Sequence, residues 1–338
     1  MSSVVELRDI HHRFAKSGEA GYVLRGVSLS VGPKEVVAVV GESGCGKTTL
    51  GRIVVGLQRP TSGSVLFEGR DIWETKRREW KTFRRAVQLV DQDPYASLNP
   101  SLPIGETLGA AMSYHHVAKR RKLRDEMFRL LGLVGLEQTP DFLRRYPHQL
   151  SGGQRQRVVI ARAVSLHPSL VVADEAVSMM DVSIRVSILQ LLLDIQREES
   201  LSYLFISHDF GVVRFFAREG RILVVFYGVV VEEGPTEEVI SSPRHPYTWM
   251  LLNALPVPDP DVARARRVEG LEKYREGEPA TSGCSYANRC PFAEQSCRES
   301  APALVEVSPG HRSACALSDR VTLKLPTISF GPRAGALQ

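Results

Sequence analysis

No run of apolar residues in this 338-residue sequence approaches the ~20 that a helix needs to cross a bilayer, which argues against an integral membrane chain. The stretch Met1–Arg8 lacks the pattern of a signal peptide, so the expected compartment is the cytoplasm. Neither sign of charge dominates: 43 Lys and Arg against 38 Asp and Glu leave a net +5. That mild excess suits anionic nucleotides or a lipid surface, with most charges simply solvated. Cysteine is scarce and uneven. Of five, Cys45 stands alone and Cys284, Cys290, Cys297 and Cys315 crowd the end of the chain. The length exceeds one typical domain and suits two.

What is present begins with Gly41-Glu42-Ser43-Gly44-Cys45-Gly46-Lys47-Thr48-Thr49, which fits the phosphate-binding pattern G-x-x-x-x-G-K-[ST]. Glycines let successive backbone N–H groups point into one hollow. Lys47 brings a mobile charge to the outer phosphates, and the Thr48 hydroxyl can ligate Mg²⁺. A helix starting near Lys47 aims its positive end at the anion. Accident would give this pattern in roughly one chain of this length in a hundred. The plain alternative is a glycine turn. Glu35–Val40 reads as a buried strand and Thr49–Leu57 as a helix, which is the context the motif requires.

Along the chain, Val5–Arg8 and Val27–Val31 alternate apolar and polar as half-exposed strands do. Phe14 and Tyr22 each offer a ring for core packing or for stacking on adenine. Trp73–Arg85 reads as a basic surface helix and Ala86–Val90 as a strand that opens at Gln92. A neutral amide there can complete a Mg²⁺ or water shell; a solvent-facing loop glutamine is the ordinary alternative. From Pro103 to Leu136 the pattern is helical. Lys119–Lys122 opens a charged helix whose apolar face carries Met127, Leu130, Leu131 and Val134.

Ser151 followed by Gln154 is a capping-box pattern, and Ser-Gly-Gly at a helix start is also an anion site. Leu170–Ala173 reads as a buried strand ending in Asp174 and Glu175. An acid at that place holds Mg²⁺ in a P-loop fold, and its neighbour can orient or deprotonate water. Ser178–Asp181 follows, then an amphipathic helix through Ile184, Ile188, Leu191, Leu192 and Ile195. His208 ends another buried strand, Tyr203–Ile206, on the rim where open α/β sheets bind ligands.

Together these residues resemble the ATP-binding subunits of ABC transporters, over about residues 4–240. Gly41–Thr48 looks like the Walker A loop and Gln92 like the Q-loop glutamine. Leu150–Gln154 is the LSGGQ signature in full. Leu170–Asp174 resembles Walker B, Glu175 the catalytic glutamate, Ser178–Asp181 the D-loop and His208 the switch histidine. Phe14 falls at the adenine-stacking position. The resemblance implies an α/β P-loop NTPase (RecA-like) core with an antiparallel β subdomain and an inserted helical subdomain, about residues 95–165. It implies MgATP hydrolysis, with Gly41, Ser43, Gly44, Cys45, Gly46, Lys47, Thr48 and Thr49 on the nucleotide and Thr48, Gln92 and Asp174 on Mg²⁺. Glu175 and His208 are the catalytic pair. Ser151, Gly152, Gly153 and Gln154 act on the nucleotide of a second ATPase subunit, a paralogue or a copy. Two transmembrane permease subunits and, indirectly, an extracytoplasmic substrate-binding protein complete the expected assembly, on the cytoplasmic face of the cell membrane. The resemblance implies no nucleic-acid partner.

A narrower likeness rests on Asp93–Pro100, His245–Thr248 and Ala254–Asp259, which look like the dipeptide/oligopeptide/nickel importer subfamily. It implies a C-terminal extension, residues 241–338, and a peptide-like cargo. Asp91, Ala176 and Met179-Met180 depart from the usual family pattern without removing a catalytic group. A soluble ABC-type ATPase acting on nucleic acid or in iron–sulfur assembly is the rival. Its marks, a coiled-coil insertion or two ATPase halves, are missing. A weakly hydrolysing regulatory subunit is a second rival.

The four late cysteines form C-x₅-C-x₆-C-x₁₇-C. Disulfides do not suit a reducing compartment, and zinc modules usually carry a closer cysteine pair. A [4Fe–4S] cluster held by four thiolates is the third reading. The resemblance favours the cluster, with zinc as runner-up and free thiols as the remainder. His311 is either a spare nitrogen ligand or a surface-loop histidine. Cys45 is either a small filler or, at a helix N-terminus, an oxidisable thiol.

Overall fold

Every residue of Val36–Val40 and of Leu170–Asp174 is buried. Unbroken apolar runs of this kind suit strands covered on both faces, as parallel strands are. The computed structural model describes residues 3–14, 21–117, 122–255, 277–320 and 323, and it pairs both runs with a third strand in one parallel sheet. The chain forms two compact units, Met1–Val230 and Val231–Gln338. The cations Lys119–Arg121 and the stretch Pro256–Asp259 lie outside the described residues.

In chain order the first unit carries β1 (Val5–Arg13), β2 (Tyr22–Val31), β3 (Val36–Val40), α1 (Lys47–Val54), β4 (Ser62–Phe67), β5 (Arg70–Asp71), α2 (Arg77–Ala86) and β6 (Val87–Val90). A helical stretch follows: α3 (Pro94–Ser97), α4 (Ile104–Tyr114), α5 (Leu123–Leu133), α6 (Pro140–Arg144) and α7 (Gly152–Val164). Then come β7 (Leu170–Asp174), α8 (Val182–Glu199), β8 (Ser202–Ile206), α9 (Phe210–Phe216) and β9 (Arg221–Phe226). One sheet is antiparallel, in the order β2-β1-β4-β5, with β1 alternating buried and exposed residues through much of its length. The other strands run parallel in the order β9-β3-β8-β7-β6.

Register decides where the site forms. Ile206 of β8 pairs with Val39 of β3 on one side and with Asp174 of β7 on the other. Val90 of β6 pairs with Ala173. Four strands therefore end level, and the segments after them emerge on one rim. Those segments carry Gly41–Gly46, Gln92, Glu175 and His208. The carboxyl ends of parallel strands are where open α/β sheets bind ligands.

Two helices differ from expectation. α2 begins at Arg77 rather than Trp73, because Asp71 accepts the Trp73 N–H at 2.8 Å and Glu79 reaches back to the Lys76 N–H at 3.1 Å. These bonds turn the chain before the helix starts. On α8, Ile188, Leu191, Leu192 and Ile195 are buried as expected, but Ile184 in the first turn is exposed, next to the exposed Val182 and Val186.

β10 (Val229–Pro235) leads into the second unit, which adds α10 (Thr236–Ser241), α11 (Pro246–Asn253), a short helix at Gln295–Glu299, β11 (Val305–Ser308) and β12 (His311–Ser313). β12 lies between β11 and β10 and is antiparallel to both. The surface-loop reading of His311 is corrected here. The residue opens a strand and is fully buried, with Nε2 2.7 Å from Glu232 and Nδ1 3.3 Å from Glu238. Both ring nitrogens are engaged by carboxylates, which also removes it as a spare metal ligand.

Candidate functional site

The loop after β3 bends through three glycines at positive φ: Gly41 at 156°, Gly44 at 81° and Gly46 at 106°. At Gly41 a Cβ would stand 2.1 Å from the Val225 carbonyl oxygen, and at Gly46 2.7 Å from that of Val23. Only glycine fits either place. Lys47 follows as the first residue of α1 and is 5% exposed. Its Nζ donates to the carbonyls of Gly41 and Glu42, each at 2.8 Å. The ammonium is thus folded over the loop's own hollow, where a bound phosphate oxygen would compete with those carbonyls for its protons. Ser43 and Gly44 are exposed on the turn, and Thr48 and Thr49 continue the helix.

Cys45 is buried, and burial pushes its thiol above the ordinary value despite the Lys47 ammonium at 3.8 Å. The lowered thiol pKa expected of a helix start is therefore absent, and the filler reading stands.

Asp174 ends β7 at 4% exposure. Burial raises the group to about 6, against the pull of the nearby Thr48 hydroxyl, which favours the ionised form. The charges of Asp91 and Glu175 push the same way as burial. Its Oδ1 has no hydrogen-bond partner. A buried carboxylate oxygen left open beside a threonine hydroxyl fits a hard divalent cation, whose charge offsets both burial and repulsion. Thr48 and Asp174 are the residues that would hold Mg²⁺ here. Asp91, a departure from the family pattern, adds a further negative charge there. Its Oδ1 also accepts the Gln92 N–H at 2.8 Å and shapes the turn.

Glu175, one residue on, is pinned from two sides. Gln92 Nε2 donates to its Oε2 at 3.1 Å and to Ser178 Oγ at 3.3 Å. His208 Nδ1 lies 3.1 Å from its Oε1. The donor end of the Gln92 amide is thus turned to Glu175, and its carbonyl end is the one suited to a cation. Glu175 itself adopts φ 46°. The rim so brings Gln92, Glu175, Ser178 and His208 into one hydrogen-bonded group beside Thr48 and Asp174.

Other expected residues sit apart from that group. Ser151 caps α7: its Oγ accepts the Gln154 N–H at 3.2 Å, and Gln154 Oε1 accepts the Ser151 N–H at 3.0 Å. Gly152 is exposed, and a Cβ on Gly153 would stand 3.2 Å from Ile184. Phe14 is 48% exposed and sets its ring edge-on to His12. Core packing is therefore not its role. Tyr22 is half-buried and lies edge-on to His11.

Three residues escaped the sequence reading. Arg155 is buried, donates to the Pro147 carbonyl at 2.6 Å and lies 3.9 Å over the Tyr95 ring. Arg162 donates to the Ser97 carbonyl at 2.5 Å. α7 is thereby clamped to the turn after Gln92. Gln156, fully buried, donates to the Ala176 carbonyl at 2.8 Å. A signal for it existed: Val159, Ile160 and Ala163 follow it at i+3, i+4 and i+7, so a polar residue interrupts the buried stripe.

In the second unit all four cysteines are free. They line one cavity together with His245, Tyr286 and Leu317. Burial pushes the Cys290 thiol up to about 12, that of Cys315 to about 11, and that of Cys284 upward. Four clustered thiols, with Cys284, Cys290 and Cys315 held from ionising by burial, are a donor set suited to a thiophilic metal, whose charge favours the thiolate. Among the described residues, however, no group of three or more such side chains is arranged closely enough to hold a metal ion.

Residues 24–178 match the family described as ABC transporter, and residues 231–297 match the oligopeptide/dipeptide transporter C-terminal region. A probable peptide ABC transporter ATP-binding protein of Sinorhizobium fredii is 45% identical over 86% of this chain and 80% of its own length. The oligopeptide transport ATP-binding protein OppF of Salmonella typhimurium is 42% identical over 86% of each chain, and that of Escherichia coli 39% identical over 92% of each. The solved structure of cbiO1 from Clostridium perfringens, part of an ABC transporter complex, superposes with a TM-score of 0.61 at 24% identity, over 71% of this chain and 91% of that one. That likeness bears on the fold alone. The chain is an ATP-binding, ATP-hydrolysing subunit of the ABC transporter family. It falls in the branch whose members carry the oligopeptide/dipeptide transporter C-terminal region.

Proposed function

We propose that this subunit powers uptake of peptides, or of a similar small solute, from the cytoplasmic face of the cell membrane. One observation carries the hydrolytic part. The Glu175 carboxylate takes Gln92 on one oxygen and His208 on the other, next to a buried Asp174 with an open oxygen. Lys47 and the amides of Gly41–Thr49 hold the phosphates, and Phe14 stacks on the adenine. Thr48, Asp174 and Gln92 would hold Mg²⁺, which neutralises phosphate charge when bound. Glu175 orients the attacking water and takes its proton, while His208 supports the γ-phosphate.

Ser151, Gly152, Gly153 and Gln154 complete the nucleotide site of a second ATPase subunit, a paralogue or a copy. Supporting this, Met179, Val182 and Val186 expose apolar side chains where β7 leads into α8, a patch suited to being covered. The cargo follows the names of the relatives, which are peptide and oligopeptide import proteins. Two permease subunits and, through them, an extracytoplasmic binding protein are the remaining partners. Pull-down from solubilised membranes tests the reading. Recovery of two multi-span membrane proteins supports it, and recovery of soluble companions or nucleic acid alone contradicts it.

The second unit's cysteines, Cys284, Cys290, Cys297 and Cys315, hold a [4Fe–4S] cluster in this reading, with zinc as the runner-up. What supports it is a shared cavity, the lack of disulfides and the chemistry of four thiols. Anaerobically purified protein should show the broad visible absorption of such a cluster, lost in Cys290→Ser. A colourless protein carrying stoichiometric zinc would replace cluster by zinc.

A further inference from the structure

Gln156 stands on α7 two residues past Gln154, with no exposed surface. Its Nε2 donates to the Ala176 carbonyl at 2.8 Å, while its Oε1 is buried without a partner. A buried amide satisfied at one end only costs free energy that an apolar side chain would avoid, so its presence calls for an explanation. The bond it makes lands one residue past Glu175.

Glu175 has φ 46°, a left-handed conformation that a glutamate keeps only when its surroundings impose it. Before the turn, the Glu175 N–H donates to the Ile206 carbonyl at 3.0 Å. Within it, the Glu175 carbonyl accepts the Ser178 N–H at 3.0 Å and the Ser178 hydroxyl at 2.9 Å. Beyond it, Ala176 and Val177 are buried and the Ala176 carbonyl takes Gln156. The last of these holds comes from the helix that Ser151 and Gln154 open.

We propose that Gln156 is a positioning residue that holds the turn presenting Glu175 and ties the signature helix to the same chain's hydrolytic carboxylate. The path is short: the first turn of α7, the Gln156 amide, the Ala176 carbonyl, Glu175. A shift of the helix start on closing over a neighbour's nucleotide is felt at this chain's own general base. The inference rests on the roles proposed above for Glu175 and for Ser151–Gln154.

The test uses the purified full-length chain with Gln156→Met, which has similar volume and no donor. Its kcat should fall by about tenfold or more, since small misplacements of a catalytic group are costly, with KM for ATP and the thermal midpoint close to wild type. Gln156→Glu supplies a second readout. Its carboxyl donates to Ala176 only when protonated, so its kcat relative to wild type should rise as pH is lowered. If Gln156→Met does not fold, the Gln156→Glu profile decides. Wild-type kcat in Gln156→Met, a kcat loss matched by lost ATP affinity and midpoint, or a pH-independent ratio in Gln156→Glu overturns the inference. Glu175→Gln is measured alongside. Surviving hydrolysis there brings down the base assignment, whereas its loss with an unimpaired Gln156→Met brings down only the present inference.

Discussion

Glu175 and His208 meet across 3.1 Å, carboxylate Oε1 to ring Nδ1, although 33 residues separate them in sequence. Adjacent parallel strands that end level produce this pairing, since Asp174 and Ile206 are register partners. The imidazole holds the carboxylate from one side while Gln92 holds it from the other.

His208→Ala removes one of those two holds. The carboxylate stays in place through Gln92, so nucleotide binding should persist. Turnover should drop by about 10²-fold, the lower end for loss of a donor that stabilises charge developing on the γ-phosphate. Steady-state ATPase kinetics beside equilibrium nucleotide binding separate the two effects. Equal losses in both would assign His208 to binding instead.

Asp174 should make the nucleotide-free chain less stable as pH rises. Burial lifts this carboxyl from 3.8 to about 6. Between those values the folded chain keeps a proton that the unfolded chain has released, so stability falls as pH climbs through the window and stays low above it. The penalty at neutral pH is at most about 3 kcal/mol. Asp174→Asn should recover about 1–3 kcal/mol near neutrality and little at about pH 4, while abolishing Mg²⁺-dependent turnover. Urea unfolding at both pH values, without nucleotide, is the measurement. A variant that is less stable at neutral pH would contradict the desolvation account.

Ser151→Ala removes the Oγ that accepts the Gln154 N–H. Loss of such a cap costs about 1 kcal/mol of stability. With the serine working on a neighbour's nucleotide, as proposed, the isolated variant should bind ATP like wild type yet turn it over poorly. Binding by the monomer and turnover at dimer-forming concentration distinguish these, and impaired monomer binding would place Ser151 in its own chain's site.

Much of this architecture was legible before the structure. Val36–Val40, Leu170–Asp174 and Tyr203–Ile206 declare buried strands through composition alone, and the Ser151–Gln154 capping box is a local pattern that forms as written. What stayed hidden was long-range. Gln92 bonds Glu175 from 83 residues away, and nothing near Gln92 announces it. The burial of His311 depends on Glu232 and Glu238, more than seventy residues upstream. The exposed Ile184 shares the helical period of Ile188, so periodicity alone cannot say that the buried stripe stops short of the first turn. Gln156 was visible as a polar break in that kind of stripe, but its partner Ala176 lies across a connection that only the fold closes.

MgATP turnover by Glu175→Gln, read together with ATP-dependent pairing of the subunit, tests the central claim most directly. The account predicts loss of at least about 10² in turnover, the scale of general-base removal, with nucleotide-driven pairing retained. Hydrolysis at the wild-type rate in that variant would contradict it.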